Sequence, residues 1–167
     1  MMRLSRLADF AIVLMTHMAQ SPDATHSAAE MAAATRLPGP AVAKVLARLC
    51  HEGLIGSARG VKGGYRLERP AAAISVDSIV SAVDGPVALT QCITPKDGTP
   101  RNATHPASRC EVETLCRSRV GLHAINRAVR RALEEVSLAD IAIAGLPRST
   151  PAASLTAGKT DHHREFS

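Results

Sequence analysis

The sequence predicts a mainly α-helical fold with a small β-hairpin, a winged helix-turn-helix followed by a long C-terminal dimerisation helix. Three helical patterns within residues 1–70 are followed by two strand-like runs around the glycine-rich stretch GVKGG (60–64). Beyond residue 110, apolar residues recur with the three- and four-residue spacing of a coiled-coil seam. The chain of 167 residues is long enough for one compact domain and an appendage.

The first three helices are predicted from apolar periodicity and from helix-end signals. Ser27 and Glu30 have the spacing of a capping box and start a short helix. The stretch LPGP (37–40) ends that helix, Pro40 suits the first turn of the next one, and Gly53 is a natural C-cap. The first helix, at residues 3–20, is predicted from one apolar stripe: Leu4, Leu7, Phe10, Ala11, Leu14, Met15 and Met18.

The wing is predicted at residues 54–69, as two strands that flank GVKGG. Three glycines among five residues suit a hairpin that needs positive φ angles. The stretch ISVDSIVSAVDG (74–85) then predicts an amphipathic helix closed by Gly85. Together these elements predict a DNA-binding domain at residues 1–86.

Charge and the predicted motif both indicate a double-stranded DNA partner. The formal net charge is +5, and residues 1–69 hold nine Lys or Arg against five Asp or Glu. The alternatives are a solvated basic face and a wing that serves as a protein surface. In a helix-turn-helix, the early residues of the second helix meet base edges. The residues predicted to contact DNA are Pro40, Ala41, Ala43, Lys44 and Arg48 on that helix, and Arg59, Lys62 and Arg66 on the wing.

A long helix is predicted from about residue 111 to residue 136, with an a/d seam that favours a homodimer. The alternative is a helix that packs only on its own domain. We assign residues 112–144 to this dimerisation helix and a C-terminal segment, and residues 145–167, which have little to bury, to a disordered tail. The seam residues are Leu115, Leu122, Ile125, Val129, Ala132 and Val136.

An irregular segment at residues 87–111, rich in Pro, Gly, Thr, Asn and Ser, is predicted to be a loop that supplies metal ligands. It holds Cys92 and Cys110, and Cys116 follows shortly after it. Thiolates favour zinc or iron–sulfur clusters, and three of them leave one coordination position for another ligand. His105, His123 and acidic residues are candidates, and a redox-active thiol set is the competing interpretation. The fourth cysteine, Cys50, is predicted to be a buried small hydrophobe.

Several other classes of protein are not indicated. No run of about 18 apolar residues is present, so no membrane span is predicted, and the N-terminus lacks a signal-peptide pattern. We therefore expect a cytoplasmic protein whose thiols stay reduced. Motifs of a nucleophile, a His-Glu pair or a phosphate loop are missing, so an enzyme is not predicted.

Four stretches resemble the Rrf2 family of bacterial regulators, which includes IscR and NsrR: MRLSRLADFAI (2–12), LARLCHEGLIGSARGVKGGYRL (46–67), ISVDSIVSAVDGPV (74–87) and VSLADI (136–141). The resemblance covers about residues 2–141 and is strongest to regulators of the SUF iron–sulfur assembly operon. It implies a homodimer of winged helices joined by a long helix. It also implies an iron–sulfur cluster, 2Fe-2S or 4Fe-4S, held by Cys92, Cys110 and Cys116.

Two departures from the family pattern concern the cluster. The first two cysteines lie much farther apart than the usual five-residue gap, and the position of the IscR-type histidine is occupied by Arg119. The NsrR-type alternative is an acidic residue of the first helix, supplied by the partner subunit, and Asp9 stands at that position. Asp9 as a surface carboxylate or ion-pair partner of Arg6, and His105 or His123 as ligand, remain the alternatives.

The function that the resemblance implies is transcriptional regulation of iron–sulfur assembly genes, with the bound cluster as sensor. The alternative is a cluster-free or thiol-redox-sensing winged-helix repressor.

Overall fold

The structure is mainly helical with one antiparallel hairpin, as the sequence predicts. It is a computed structural model that describes residues 4–58, 60, 63–90, 93 and 116–144. A single 3₁₀ turn at Ala71–Ala73 separates the hairpin from the fourth helix. The elements are α1 (Arg6–Ala19), α2 (Ala28–Thr35), α3 (Gly39–His51), β1 (Ile55–Ala58), β2 (Gly64–Leu67), α4 (Val76–Asp84), α5 (Arg119–Glu135) and α6 (Leu138–Ala144).

Helix α1 is the central element of the core. It begins after Ser5, whose hydroxyl oxygen accepts a hydrogen bond from the amide of Ala8 at 3.1 Å. The predicted stripe faces the core, except that Leu4 precedes the helix and is 51% exposed. Helix α1 contacts α3, α4 and α6, so it supports both DNA-reading and C-terminal elements. Its buried residues are Ala8, Ala11, Leu14, Met15 and Met18.

The helix-turn-helix is formed by α2 and α3, and both predicted end signals are confirmed. The amide of Glu30 donates to the Ser27 hydroxyl at 3.2 Å, and the Ser27 amide donates to the Glu30 carboxylate at 2.8 Å. At the other end of α3, Gly53 has φ +67°, which favours glycine, and the amide of Leu54 donates to the carbonyl of Leu49 at 3.0 Å. These ends fix the length and direction of α3.

The wing is anchored to the chain that precedes α2. Strands β1 and β2 pair antiparallel, with Ile55 opposite Leu67. His26 and Tyr65 exchange two backbone hydrogen bonds of 2.9 and 2.8 Å. At Gly64 an added Cβ would lie 2.6 Å from the His26 carbonyl oxygen, so a side chain there would break this anchor.

Helix α5 is shorter than predicted. The prediction of a helix from about residue 111 is wrong at residues 116–118, which form a turn, and α5 begins at Arg119. Val136 is extended rather than helical, since its carbonyl accepts a hydrogen bond from the Val76 amide at 2.9 Å. This pairing fixes the end of α5 against the start of α4.

The seam residues of α5 are incompletely covered by their own domain. Ile125 is 54% exposed, Val136 and Ala132 are exposed, and Leu122 and Val129 are half-buried. Leu115 lies outside the described residues. The sequence predicts only a C-terminal segment after Val136, whereas the structure has α6 there, with Leu138 fully buried in the core.

Replacing a core residue of α3 should destabilise the fold. Leu46 is fully buried, so Leu46→Ala should lower the free energy of unfolding by about 3 kcal/mol, measured by urea denaturation. Val13→Ala, at an exposed position of α1, is the control and should change it by less than about 0.5 kcal/mol. Equal losses in the two variants would contradict this packing.

The capping box of α2 should be visible in a pH titration. The Ser27 backbone amide, and then its hydroxyl, hold the pKa of Glu30 below its ordinary value of 4.5. A lowered folded-state pKa stabilises the fold above the unfolded pKa, and that stability is lost as pH falls through the folded pKa. Ser27→Ala should therefore raise the pKa of Glu30 towards its ordinary value in an NMR titration. Because the backbone amide remains in this variant, an unchanged pKa would show that the Ser27 hydroxyl does not stabilise the Glu30 carboxylate.

Candidate DNA interface and cysteine site

The outer face of α3 has the shape and chemistry of a DNA-reading surface. Pro40, Ala43 and Lys44 are exposed and Ala41 is half-buried, whereas the inward residues, such as Val42 and Leu46, are fully buried. Small side chains at the start of the helix allow its backbone to approach base edges, where an alanine methyl can meet a thymine methyl. Among the described residues Lys44 has no hydrogen-bonding or ion-pair partner, so its ammonium is available to a phosphate.

Arg48, which the sequence places beside Lys44 as a DNA contact, has a different environment. Its side chain is half-buried, and its guanidinium donates a hydrogen bond to the carbonyl of Val83 in the last turn of α4. A cation at the carbonyl end of a helix also interacts favourably with the helix dipole. Arg48 therefore joins α3 to α4 within the protein.

Of the three predicted wing contacts, the structure describes only Arg66. Arg66 of β2 is exposed, and it lies opposite Gly56 in the hairpin register. Arg59 and Lys62, the other two predicted wing contacts, lie outside the described residues.

The cysteine site is described only in part. Cys116 is a free, half-buried thiol three residues before α5, whereas Cys92, Cys110 and His105 lie outside the described residues. Within residues 4–58, 60, 63–90, 93 and 116–144, no three His, Cys, Asp or Glu side chains come close enough to hold a metal ion. Cys50 is half-buried and packs against the core, less enclosed than the sequence predicts.

Two candidates for the fourth ligand are described. Asp9 is exposed in the first turn of α1 and lines an open depression with Leu4, Ser5 and Arg6. The alternative ion pair with Arg6 is not formed, because the Arg6 guanidinium lies over the ring of Phe10, 5.9 Å from its centroid. His123 is half-buried on α5.

Residues 83–89, which we call the α4 junction, bind three other helices through polar contacts. The Val83 carbonyl accepts from Arg48 of α3, and the Asp84 carboxylate accepts a 2.7 Å hydrogen bond from the hydroxyl of Ser5 at the start of α1. The side chain of Asn126 on α5 bonds the backbone of Val87 and Leu89 at 3.1 and 3.0 Å. The sequence analysis missed this junction, although an amide within the apolar pattern of α5 was a visible signal.

A second polar contact joins α4 and α5. The buried carboxylate of Asp77 lies 3.5 Å from the guanidinium of Arg130, which also contacts Glu134 at 3.3 Å. Because a buried charge is costly when unpaired, this contact favours the observed placement of α5 on α4.

Comparison with known proteins identifies the family. A family model described as Rrf2, iron-dependent transcriptional regulator, matches residues 4–144. The chain belongs to the Rrf2 family. The family and its related proteins are transcriptional regulators rather than enzymes, and this Rrf2 protein is a DNA-binding transcriptional regulator.

Individual relatives agree with this assignment, including its IscR-like and NsrR-like character. An HTH-type transcriptional regulator of Mycobacterium tuberculosis is 31% identical over 151 residues, which cover 87% of this chain and 84% of that protein. IscR of Yersinia pestis is 28% identical over 141 residues, 84% of this chain and 79% of that protein.

The fold is shared with a solved regulator. The structure of CymR, the global cysteine regulator of Bacillus subtilis, superposes with a TM-score of 0.64 at 22% identity, covering 86% of this chain and 98% of that one. The predicted winged-helix architecture is thereby confirmed. In the described part of the chain no helix is both long and apolar enough to span a membrane.

The two cations of α3 should respond differently to removal. Lys44→Met should weaken DNA binding and reduce the slope of log affinity against log salt by about 1, with unchanged stability. Arg48→Met should lower the free energy of unfolding by about 1–2 kcal/mol, because it leaves the Val83 carbonyl without this donor.

Fluorescence anisotropy over a salt series and urea denaturation measure the two effects. If Arg48→Met reduced the salt slope as Lys44→Met does and kept full stability, Arg48 would be a phosphate contact rather than a link between helices.

Proposed function

We propose that this protein is a homodimeric cytoplasmic regulator of iron–sulfur assembly genes that responds to an iron–sulfur cluster. The observation that carries the proposal is the α4 junction. The junction contacts three helices. Helix α3 would read the operator, α1 carries Asp9, and α5 follows Cys116. The DNA-reading helix and the candidate ligand positions therefore share one support.

The DNA-binding part of the proposal rests on residues 1–86. Pro40, Ala41, Ala43 and Lys44 would meet base edges and phosphates, while Arg66 and the other wing cations would meet the adjacent backbone or minor groove. The remaining proposed divisions are a cysteine loop at 87–111, the dimerisation helix and C-terminal segment at 112–144, and a disordered tail at 145–167. Helix α6, which lies within residues 112–144, also packs on α1.

Homodimerisation is supported by the incompletely covered apolar face of α5. Ile125 and Ala132 of α5 are exposed one heptad apart, and Val136, which is extended just beyond the helix, is exposed as well. The buried side of α5 is a neighbouring face, where Asn126 and Leu133 pack towards the domain. A second copy would cover the exposed side at no cost to the packing of the first.

The donor chemistry of the described ligands fits a cluster. Cys116 is a free thiol with limited exposure, and Asp9 is an exposed carboxylate with no partner among the described residues. We propose Cys92, Cys110 and Cys116 as thiolate ligands and Asp9 of the partner subunit as the fourth. Such a cluster would supply iron–thiolate bonds whose formation depends on iron and sulfide supply and on oxidants.

The mechanism depends on how α1 and α3 are held together. Ser5 and Asp84 tie the start of α1 to the α4 junction, and Arg48 ties the last turn of α3 to the same place. A displacement of the start of α1 would therefore move α3. Because two recognition helices must match half-sites about one helical turn apart, a small displacement would change operator affinity.

The second candidate is a cluster-free, thiol-redox-sensing winged-helix repressor. The long interval between Cys92 and Cys110 favours it, since a longer loop costs more entropy to order around one centre. Iron content separates the two candidates.

Anaerobic purification tests the proposed cluster. We expect a coloured protein containing iron and sulfide, and a colourless Cys116→Ser variant, whereas Cys50→Ser, the matched control, should keep its cluster. Operator affinity should change when the cluster is removed. A colourless wild-type protein that contains zinc would contradict the cluster, and operator binding indifferent to cluster loss would contradict the switch.

The fourth ligand is tested by two further variants. Asp9→Ala should speed cluster loss in air by about tenfold or more, because one ligand bond is missing, whereas His123→Ala should leave it unchanged. The opposite ranking would assign the position to His123. Visible absorbance followed over time gives both rates.

A further inference from the structure

Asn126 is the one buried residue along α5, all of which lies in the described part of the chain. It is 5% exposed. Its Oδ1 accepts a hydrogen bond from the Leu89 amide at 3.0 Å, and its Nδ2 donates to the Val87 carbonyl at 3.1 Å. One side chain thus satisfies a donor and an acceptor of the same short backbone segment.

This double contact is specific to the shape of asparagine. An apolar residue of equal size would leave both backbone groups without these partners, and an unsatisfied buried group costs about 1–3 kcal/mol. If the side chain served only to pack α5 against its domain, leucine would suit the position better, as it does at Leu133. The amide therefore has a role in holding residues 87–89.

The segment held by Asn126 leads directly to Cys92. Leu89 precedes Cys92 by three residues, which limits their Cα separation to about 11 Å. The amide of Ile93 also donates to the carbonyl of Thr90 at 3.1 Å.

The same helix follows the last cysteine. Cys116 lies three residues before α5. Asn126 lies seven residues beyond Arg119, the first residue of α5, which is about 10 Å along the helix axis. The contact between Asn126 and Leu89 thus attaches the segment that precedes Cys92 to α5, the helix that follows Cys116.

We propose that Asn126 is a positioning residue that orders residues 87–89, which precede Cys92 in the sequence, and fixes them to α5, which follows Cys116. This inference rests on the proposed function, which supplies the cluster. The part of the inference that does not depend on the cluster concerns the cluster-free protein, in which the Asn126 amide orders residues 87–89.

Three variants test the role of the amide. Asn126→Leu keeps the size and removes both hydrogen bonds, whereas Asn126→Asp keeps an acceptor for the Leu89 amide and removes the donor to Val87. Ala124→Leu, at an exposed position of α5, is the control for adding leucine to this helix. Circular dichroism and thermal unfolding establish which variants are folded.

The first readouts use cluster-free protein. In Asn126→Leu we expect amide hydrogen exchange at Leu89 to be about tenfold faster, and Cys92 to be alkylated faster relative to Cys50, by peptide mass spectrometry. Asn126→Asp should retain protection of Leu89, and Ala124→Leu should match the wild type in both measurements. If Asn126→Leu does not fold, Asn126→Asp provides the test through faster Cys92 alkylation.

The second readout is the rate of cluster loss to a chelator, which should rise severalfold in Asn126→Leu. Wild-type exchange at Leu89 or wild-type cluster retention in that variant would overturn the positioning role. If the wild type never holds a cluster, the proposed sensor fails, and the ordering role is then judged on Leu89 exchange and Cys92 alkylation alone.

Discussion

The polar contacts at the C-terminal end of α4 determine how the parts of this regulator are placed relative to one another. Apolar packing brings α1, α3 and α4 together, but it is non-directional and tolerates small rotations. Hydrogen bonds of Arg48, Ser5 and Asn126 with residues 83–89 have defined donors and acceptors, so they select one arrangement. The orientation of the DNA-reading helix and the path towards Cys92 follow from the same small region.

Much of the fold could be predicted from the sequence because its signals are local. Ser27 and Glu30 mark the start of α2 by their spacing, Gly53 marks the end of α3, and the glycines at 60–64 mark the wing. The non-helical conformation of residues 116–118 could not be predicted, because apolar periodicity alone gives no stop ahead of Arg119. Helix α6 was not predicted within the C-terminal segment, because its placement depends on the pairing of Val136 with Val76, which has no local signal.

For the candidate sites, the sequence indicates which residue types carry the chemistry, but it does not indicate which residues contact one another in the fold. Exposure of Lys44 follows from helical periodicity, whereas the bond between Arg48 and Val83 joins residues 35 positions apart and has no local signal. The same holds for Asn126, whose backbone partners lie 37 and 39 residues earlier. The cysteine chemistry stays a proposal that rests on composition and family resemblance, and the proposed role of Asp9 is supported by an exposed carboxylate without a described partner.

Amide hydrogen exchange of the cluster-free protein, measured with and without operator DNA, tests the central claim most directly. If the α4 junction couples α3 to the segment leading to Cys92, DNA bound at α3 should slow exchange at Gly85 and at Leu89, since coupling between two sites is reciprocal. Protection confined to α2, α3 and the wing, with unchanged exchange at both amides, would contradict the coupling and leave a DNA-binding domain that acts independently of the cysteines.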